Sequence, residues 1–84
     1  MVTVLYFARL REALGTASEQ LEMPRAGARL GDLRATLISR GGVWSEEFGA
    51  NRRIRAAVNQ AMADDLTAIA DGDEVAFFPP VTGG

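Results

Sequence analysis

The two most apolar runs of this chain stand at its opposite ends, and they constrain the fold more than anything between them. Val2-Thr3-Val4-Leu5-Tyr6-Phe7 opens the sequence; Val75-Ala76-Phe77-Phe78 nearly closes it. Both are rich in β-branched and aromatic residues and read as strands. Side chains alternate between faces along a strand. Val2, Val4 and Tyr6 therefore oppose Leu5 and Phe7, and Val75 and Phe77 oppose Ala76 and Phe78. A strand of a one-sided sheet would carry polar residues on one face. Each run is thus a central strand covered twice, or one whose second face meets a partner. The shared pattern predicts that the two lie side by side as parallel neighbours, with the intervening chain wrapped across them.

That intervening chain reads as follows. Arg9–Leu14 is a short helix, with Leu10 and Leu14 on one side and Gly15 as its stop. Glu19-Gln20-Leu21-Glu22-Met23 alternates charge and apolar residues and reads as a half-buried strand, hairpin-paired with the first. Leu30 to Arg40 is the main helix, because Leu30, Leu33, Leu37 and Ile38 form one stripe. Asp32 suits its first turn, but Gly27, Ala28 and Arg29 offer no capping oxygen. Gly41-Gly42 is expected to end it. Trp44 and Phe48, four apart, read as one helical turn over the core. Ile54–Val58 and Ala61-Met62-Ala63 form a hairpin across Asn59-Gln60, where Asn tolerates positive φ. Leu66 and Ile69 are expected to dip inward from a helical turn or loop, and Asp71-Gly72-Asp73 turns the chain into the last strand. The sum is an α+β fold: a ubiquitin-like β-grasp, with a mixed sheet of about five strands and one main helix packed across it.

What the chain lacks bounds its chemistry. Its 84 residues suffice for one small domain. There is no Cys and no His, and every basic residue is Arg. Thiolate catalysis, a Cys- or His-based metal centre, an imidazole base and a lysine Schiff base are all excluded. We expect no bound metal. A net charge of −2 and a pI near 5.0 argue against nucleic-acid binding. No apolar run reaches the roughly 20 residues of a membrane span, and the N-terminus does not read as a signal peptide, so a cytoplasmic protein is expected. Self-contained catalysis is not on offer; a partner must supply it.

The last eight residues, Phe77-Phe78-Pro79-Pro80-Val81-Thr82-Gly83-Gly84, carry the functional signal. Prolines cannot give N–H groups to a sheet ladder, so the strand ends at the doublet, which favours an extended exit. Six residues at about 3.3 Å each reach roughly 20 Å beyond the domain, far enough to thread another protein's active site. Gly83 and Gly84 leave the terminal carboxylate unobstructed. Gly-Gly alone would also fit a frayed end; stiffening prolines directly after a strong strand favour projection. The division is residues 1–78 as domain and 79–84 as flexible tail.

Three stretches carry a resemblance: Ala57-Val58-Asn59-Gln60, the run from Asp71 to Gly84, and Val4-Leu5-Tyr6-Phe7-Ala8 followed by Leu10-Arg11-Glu12 and Gly15. They resemble the ubiquitin-like sulfur carriers of the MoaD/ThiS family, in particular the small subunit of molybdopterin synthase. The resemblance implies a cycle. An activating enzyme of the ubiquitin-activating type, using ATP and magnesium, adenylates the Gly84 carboxylate. A sulfur donor converts the adenylate to a thiocarboxylate. The tail then enters the large subunit, in a complex of two small and two large subunits, and gives sulfur to a cyclic pyranopterin monophosphate to build the molybdopterin dithiolene. Catalytic residues are expected on the large subunit, no cofactor on this chain, and neither nucleic acid nor membrane among its partners.

The expected partner surface joins the tail residues Pro79, Pro80, Val81 and Thr82 to an outer-face patch of Phe7, Met62 and Phe78. Asp64, Asp65, Asp71, Asp73 and Glu74 cluster in sequence ahead of the tail and read either as solvated surface or as charge steering it toward basic partners. Two other functions remain open: a carrier for thiazole or another thiolated product, and a ubiquitin-like modifier without sulfur chemistry. The Phe-Phe-Pro-Pro-Val-Thr stretch favours the molybdopterin carrier over the thiazole one.

Overall fold

The computed structural model describes residues 1–49 and 53–80. Strand β1 (Val2–Tyr6) leads to helix α1 (Ala8–Leu14) and strand β2 (Ser18–Leu21). Helices α2 (Leu30–Ile38) and α3 (Gly42–Phe48) follow, then strands β3 (Arg55–Val58), β4 (Ala61–Ala63) and β5 (Glu74–Phe78). The sheet order is β2-β1-β5-β3-β4. The two terminal strands are central, adjacent and parallel, with Val4 opposite Val75 and Tyr6 opposite Phe77. All other pairings are antiparallel. This is the mixed five-stranded sheet of a ubiquitin-like β-grasp.

Among the described residues, the helices cover one face of the sheet. Val2, Val4, Tyr6, Val75 and Phe77 are fully buried, while Thr3, Leu5, Ala76 and Phe78 between them are half-buried. The helices bring Leu10, Leu30, Leu33, Leu37 and Phe48 to the buried face. There the Phe48 ring stands edge-on to Phe77 at 5.0 Å between centroids, and Trp44 edge-on to Tyr6 at 5.4 Å. The expected single turn at Trp44 and Phe48 is a seven-residue helix. Gly41 is its N-cap and Gly42 its first residue, so the glycine pair begins this helix; α2 has already ended at Ile38 with Ser39 as its C-cap, short of the expected Arg40. Aromatic packing and the Arg40 guanidinium, 4.4 Å from the centre of the Trp44 ring, hold α3 where propensity alone would not.

The other departures have local causes. α2 starts at Leu30 as expected despite its poor cap, because the segment before β5 satisfies its free amides. The Leu30 N–H donates to the Thr67 carbonyl at 2.9 Å and the Gly31 N–H to that of Asp65 at 3.0 Å. Asp32 accepts the Arg29 N–H at 2.8 Å. No helical turn forms at residues 64–67. The Asp64 carboxylate instead accepts the Leu66 N–H at 2.9 Å, the side-chain-to-backbone bond that shapes a turn. Leu66 therefore points out, 71% exposed, and only Ile69 reaches the core. Asn59 and Gln60 take φ of 49° and 70°, the positive pair of a type I′ hairpin. Asn59 also accepts the Glu74 N–H at 3.0 Å, pinning the hairpin to β5.

One polar clamp bridges the layers. Tyr6 is buried but its hydroxyl donates to Glu19 at 2.8 Å, and both Glu19 oxygens accept from Arg40 at 2.9 and 2.8 Å. The Arg40 hydrogen bonds hold the Glu19 carboxyl below its usual range, and burial pushes the Tyr6 hydroxyl well up. Because the folded value is depressed, the clamp's contribution is present above the ordinary glutamate range and lost as pH falls through the folded value. Glu19→Gln is expected to cost about 1–2 kcal/mol at pH 7. Urea melts of both proteins from pH 7 to pH 3 should show the gap closing with acid; a constant gap would mean that the Glu19 charge is not what the clamp uses.

Candidate functional site: the tail exit and its outer face

The exit is built by β5. Tyr6 and Phe77 point into the core, so the next residue on each chain, Phe7 and Phe78, turns to the open face. The Phe7 N–H donates to the Phe77 carbonyl at 3.1 Å, which keeps Phe7 alongside β5 although β1 stops at Tyr6. Phe78 lies opposite Arg55 of β3. One step back, the register sets Leu5, Ala76, Ala57 and Met62 in a row across four strands. Phe7 therefore stands beside Phe78 on one side and Arg55 on the other, while Met62 lies two strands away in the row before. Phe7 is 44% exposed and Met62 63%. Phe7, Met62 and Phe78, the patch residues expected from sequence, thus lie on the outer face, with half-buried Leu5 and Ala76 and buried Ala57 on the same face.

Pro79 and Pro80 follow β5 without regular structure and are half-buried. Val81, Thr82, Gly83 and Gly84, the rest of the expected site, lie outside the described residues.

The acidic run lies elsewhere than its sequence position suggested. Asp71, Asp73 and Glu74 stand at the start of β5, a strand's length from Phe78. There Asp71 meets the Met1 ammonium group, and Asp73 accepts from the Asn59 amide at 3.0 Å. Only Asp64 and Asp65 lie at the Phe78 end, since β4 runs back toward it. Arg53 and Arg55, which sequence reading did not single out, are exposed there instead. Their signal was available: the Asn59-Gln60 hairpin and the β3–β5 pairing place Arg55 opposite Phe78. Among the described residues, no group of three or more His, Cys, Asp or Glu is placed to hold a metal ion, and no helix is long and apolar enough to cross a membrane.

A β-grasp domain whose central strand is followed in sequence by Pro79-Pro80 and a Gly83-Gly84 terminus defines the class of ubiquitin-like carriers. Residues 4–84 match the profile of the ThiS family, and the chain belongs to that family. It is 39% identical over 84 residues to the molybdopterin synthase sulfur carrier subunit of Haemophilus influenzae, with both chains covered in full. Among solved structures it resembles small archaeal modifier protein 1 of Haloferax volcanii, with a TM-score of 0.79, 29% identity and coverage of 95% of this chain and 97% of the other. It also resembles a chain in the complex of subunits 1 and 2 of the molybdopterin-converting factor from Helicobacter pylori. There the TM-score is 0.68, the identity 26%, and the coverage 99% and 97%.

Proposed function

We propose that this chain is the sulfur-carrier small subunit of a molybdopterin synthase, with residues 1–78 as its docking domain and 79–84 as the tail that carries sulfur. The observation that carries this reading is the junction at Phe78: the buried central strand passes directly into the Pro-Pro-Val-Thr-Gly-Gly terminus, beside an exposed apolar patch. The Gly84 carboxylate attacks the α-phosphate of ATP on a magnesium-dependent activating enzyme and pyrophosphate leaves. A sulfur donor then displaces AMP, leaving a thiocarboxylate. A carboxylate is inert until its oxygen becomes a leaving group, and an α-carbon without a side chain leaves the acyl carbon open to attack. The chain itself needs no Cys, because the sulfur rides on its main-chain end. Lacking Lys, it offers no side-chain amine for its own activated tail to acylate.

The large subunit receives the tail, with Phe7, Met62 and Phe78 against its surface, and supplies the catalytic residues for sulfur transfer to a cyclic pyranopterin monophosphate. Two small and two large subunits make the working complex, and the setting is the cytoplasm. The test is reconstitution. The protein is incubated with its activating enzyme, ATP, magnesium and a sulfur donor, and its intact mass is measured. A gain equal to the difference between sulfur and oxygen is expected. The large subunit and the pterin substrate are then added, and dithiolene formation is expected. Loading without dithiolene formation would point to a carrier for another thiolated product. No loading would leave a modifier without sulfur chemistry.

A further inference from the structure

The β3–β4 edge holds a groove of about 580 Å³. Its walls include Arg34, Arg53, Arg55, Met62, Asp65 and Leu66. The carboxylates around it are already engaged: Asp65 accepts from Arg34 at 3.0 Å, and Asp64 accepts the Leu66 N–H. Arg34 is engaged too, donating to the Ile54 carbonyl at 3.2 Å and lying 5.5 Å from the centre of the Phe77 ring. Arg53 and Arg55 differ. Both are exposed, and neither has an ion-pair partner among the described residues. Across the groove Met62 and Leu66 expose most of their apolar surface. The groove is continuous with the tail exit, since Arg55 stands opposite Phe78 and Met62 belongs to the outer-face row.

We propose that this groove is a second docking surface, and that its occupant is an acidic, amphipathic segment of the large subunit. One carboxylate meets Arg55 with Arg53 beside it, and a neighbouring apolar side chain sits between Met62 and Leu66. The inference rests on the reading of the tail exit as the face that meets the large subunit. Charge and shape together select this occupant. With Arg34 and Asp65 paired, Arg53 and Arg55 outnumber Asp64 and leave the groove net positive, which calls for carboxylate, and exposed Met62 and Leu66 call for a side chain that a free anion lacks. The steering runs opposite to that suggested by the acidic run in the sequence. Asp71, Asp73 and Glu74 face away at the start of β5, and a partner approaching along the tail meets the arginine end.

The test uses the full-length protein and its cognate large subunit. Association and dissociation rates are measured at low and high salt for the wild type, Arg53→Glu, Arg55→Glu, Leu66→Ala and Phe78→Ala, with a thermal melt of each. Each charge reversal is expected to slow association at low salt about tenfold, with the difference shrinking at high salt. Leu66→Ala is expected to speed dissociation at both. Normal or faster association of both arginine variants at low salt would overturn the proposal. Arg53 lies outside the strand, so its variant decides the matter if Arg55→Glu melts early. Should the wild type not bind the large subunit, the underlying reading falls and this one with it. If Phe78→Ala weakens binding and the arginine variants do not, only the groove inference falls.

Discussion

A chain lacking Gly84 is expected to melt like the full-length protein and to give no pyrophosphate when mixed with its activating enzyme and ATP. The core explains the first half. Its last member is Phe77, and no buried apolar residue from Pro79 or Pro80 joins it. A glycine has no side chain to add to that core. Geometry explains the second half. The deletion withdraws the carboxylate by one residue, about 3.5 Å. Misplacement of even about 1 Å can cost two orders of magnitude in rate. Adding residues beyond Gly84 should have the same consequence by another route, because the reacting carboxylate becomes an unreactive amide. Melts and pyrophosphate release, measured together on the three chains, check both halves. Normal release followed by normal thiocarboxylate formation from the shortened chain would show that Gly84 is dispensable and that the functional reading of the terminus is wrong.

Adjacent phenylalanines should fail in different ways. Phe77→Ala is expected to cost about 3–5 kcal/mol, the usual range for a buried aromatic truncated to a methyl group. In a domain of this size that lowers Tm by well over 10 °C, at roughly 4–8 °C per kcal/mol. Phe77 is fully buried, stacked at 6.3 Å on Tyr6 and edge-on to Phe48, with Arg34 over its ring. Phe78→Ala keeps the core and removes the centre of the outer patch. Its melt should change little, while binding to the large subunit weakens by about 2 kcal/mol or more, as for an aromatic anchor at an interface centre. A Phe78 variant that binds normally but melts early would place that ring's role in the fold and end the patch argument.

The centre of the fold was legible because Val2–Phe7 and Val75–Phe78 are apolar on both faces, which left them few places except side by side. Among the described residues, helices cover one face of these strands and leave Leu5, Ala76 and Phe78 half-exposed on the other. The β3–β4 hairpin was legible because Asn59 accepts positive φ. Helix α3 was legible only as a turn. It opens on two glycines, and what holds it is the packing of Trp44 and Phe48 on rings that arrive from distant parts of the chain. Leu66 was misplaced because hydrophobicity says nothing of a turn whose geometry is set by an aspartate two residues earlier. The acidic run was misplaced for a related reason: proximity in sequence put Glu74 beside the tail, whereas an extended strand carries it to the other end. Of the site, Phe7, Met62 and Phe78 followed from alternation, but the arginines beside them needed the register.

The parallel pairing of β1 with β5 also decides how the domain bears load. A partner gripping the tail pulls along the axis of β5, toward its C-terminal end. β5 is bonded on both sides, to β1 through the pairs from Thr3–Glu74 to Tyr6–Phe77 and to β3 through those from Arg55–Phe78 to Val58–Val75. The pull therefore slides β5 lengthwise against both neighbours and strains those ladders together, where a strand peeled from one end would lose its bonds singly. Withdrawing the tail from a narrow channel puts the domain in shear, the direction in which a sheet yields least.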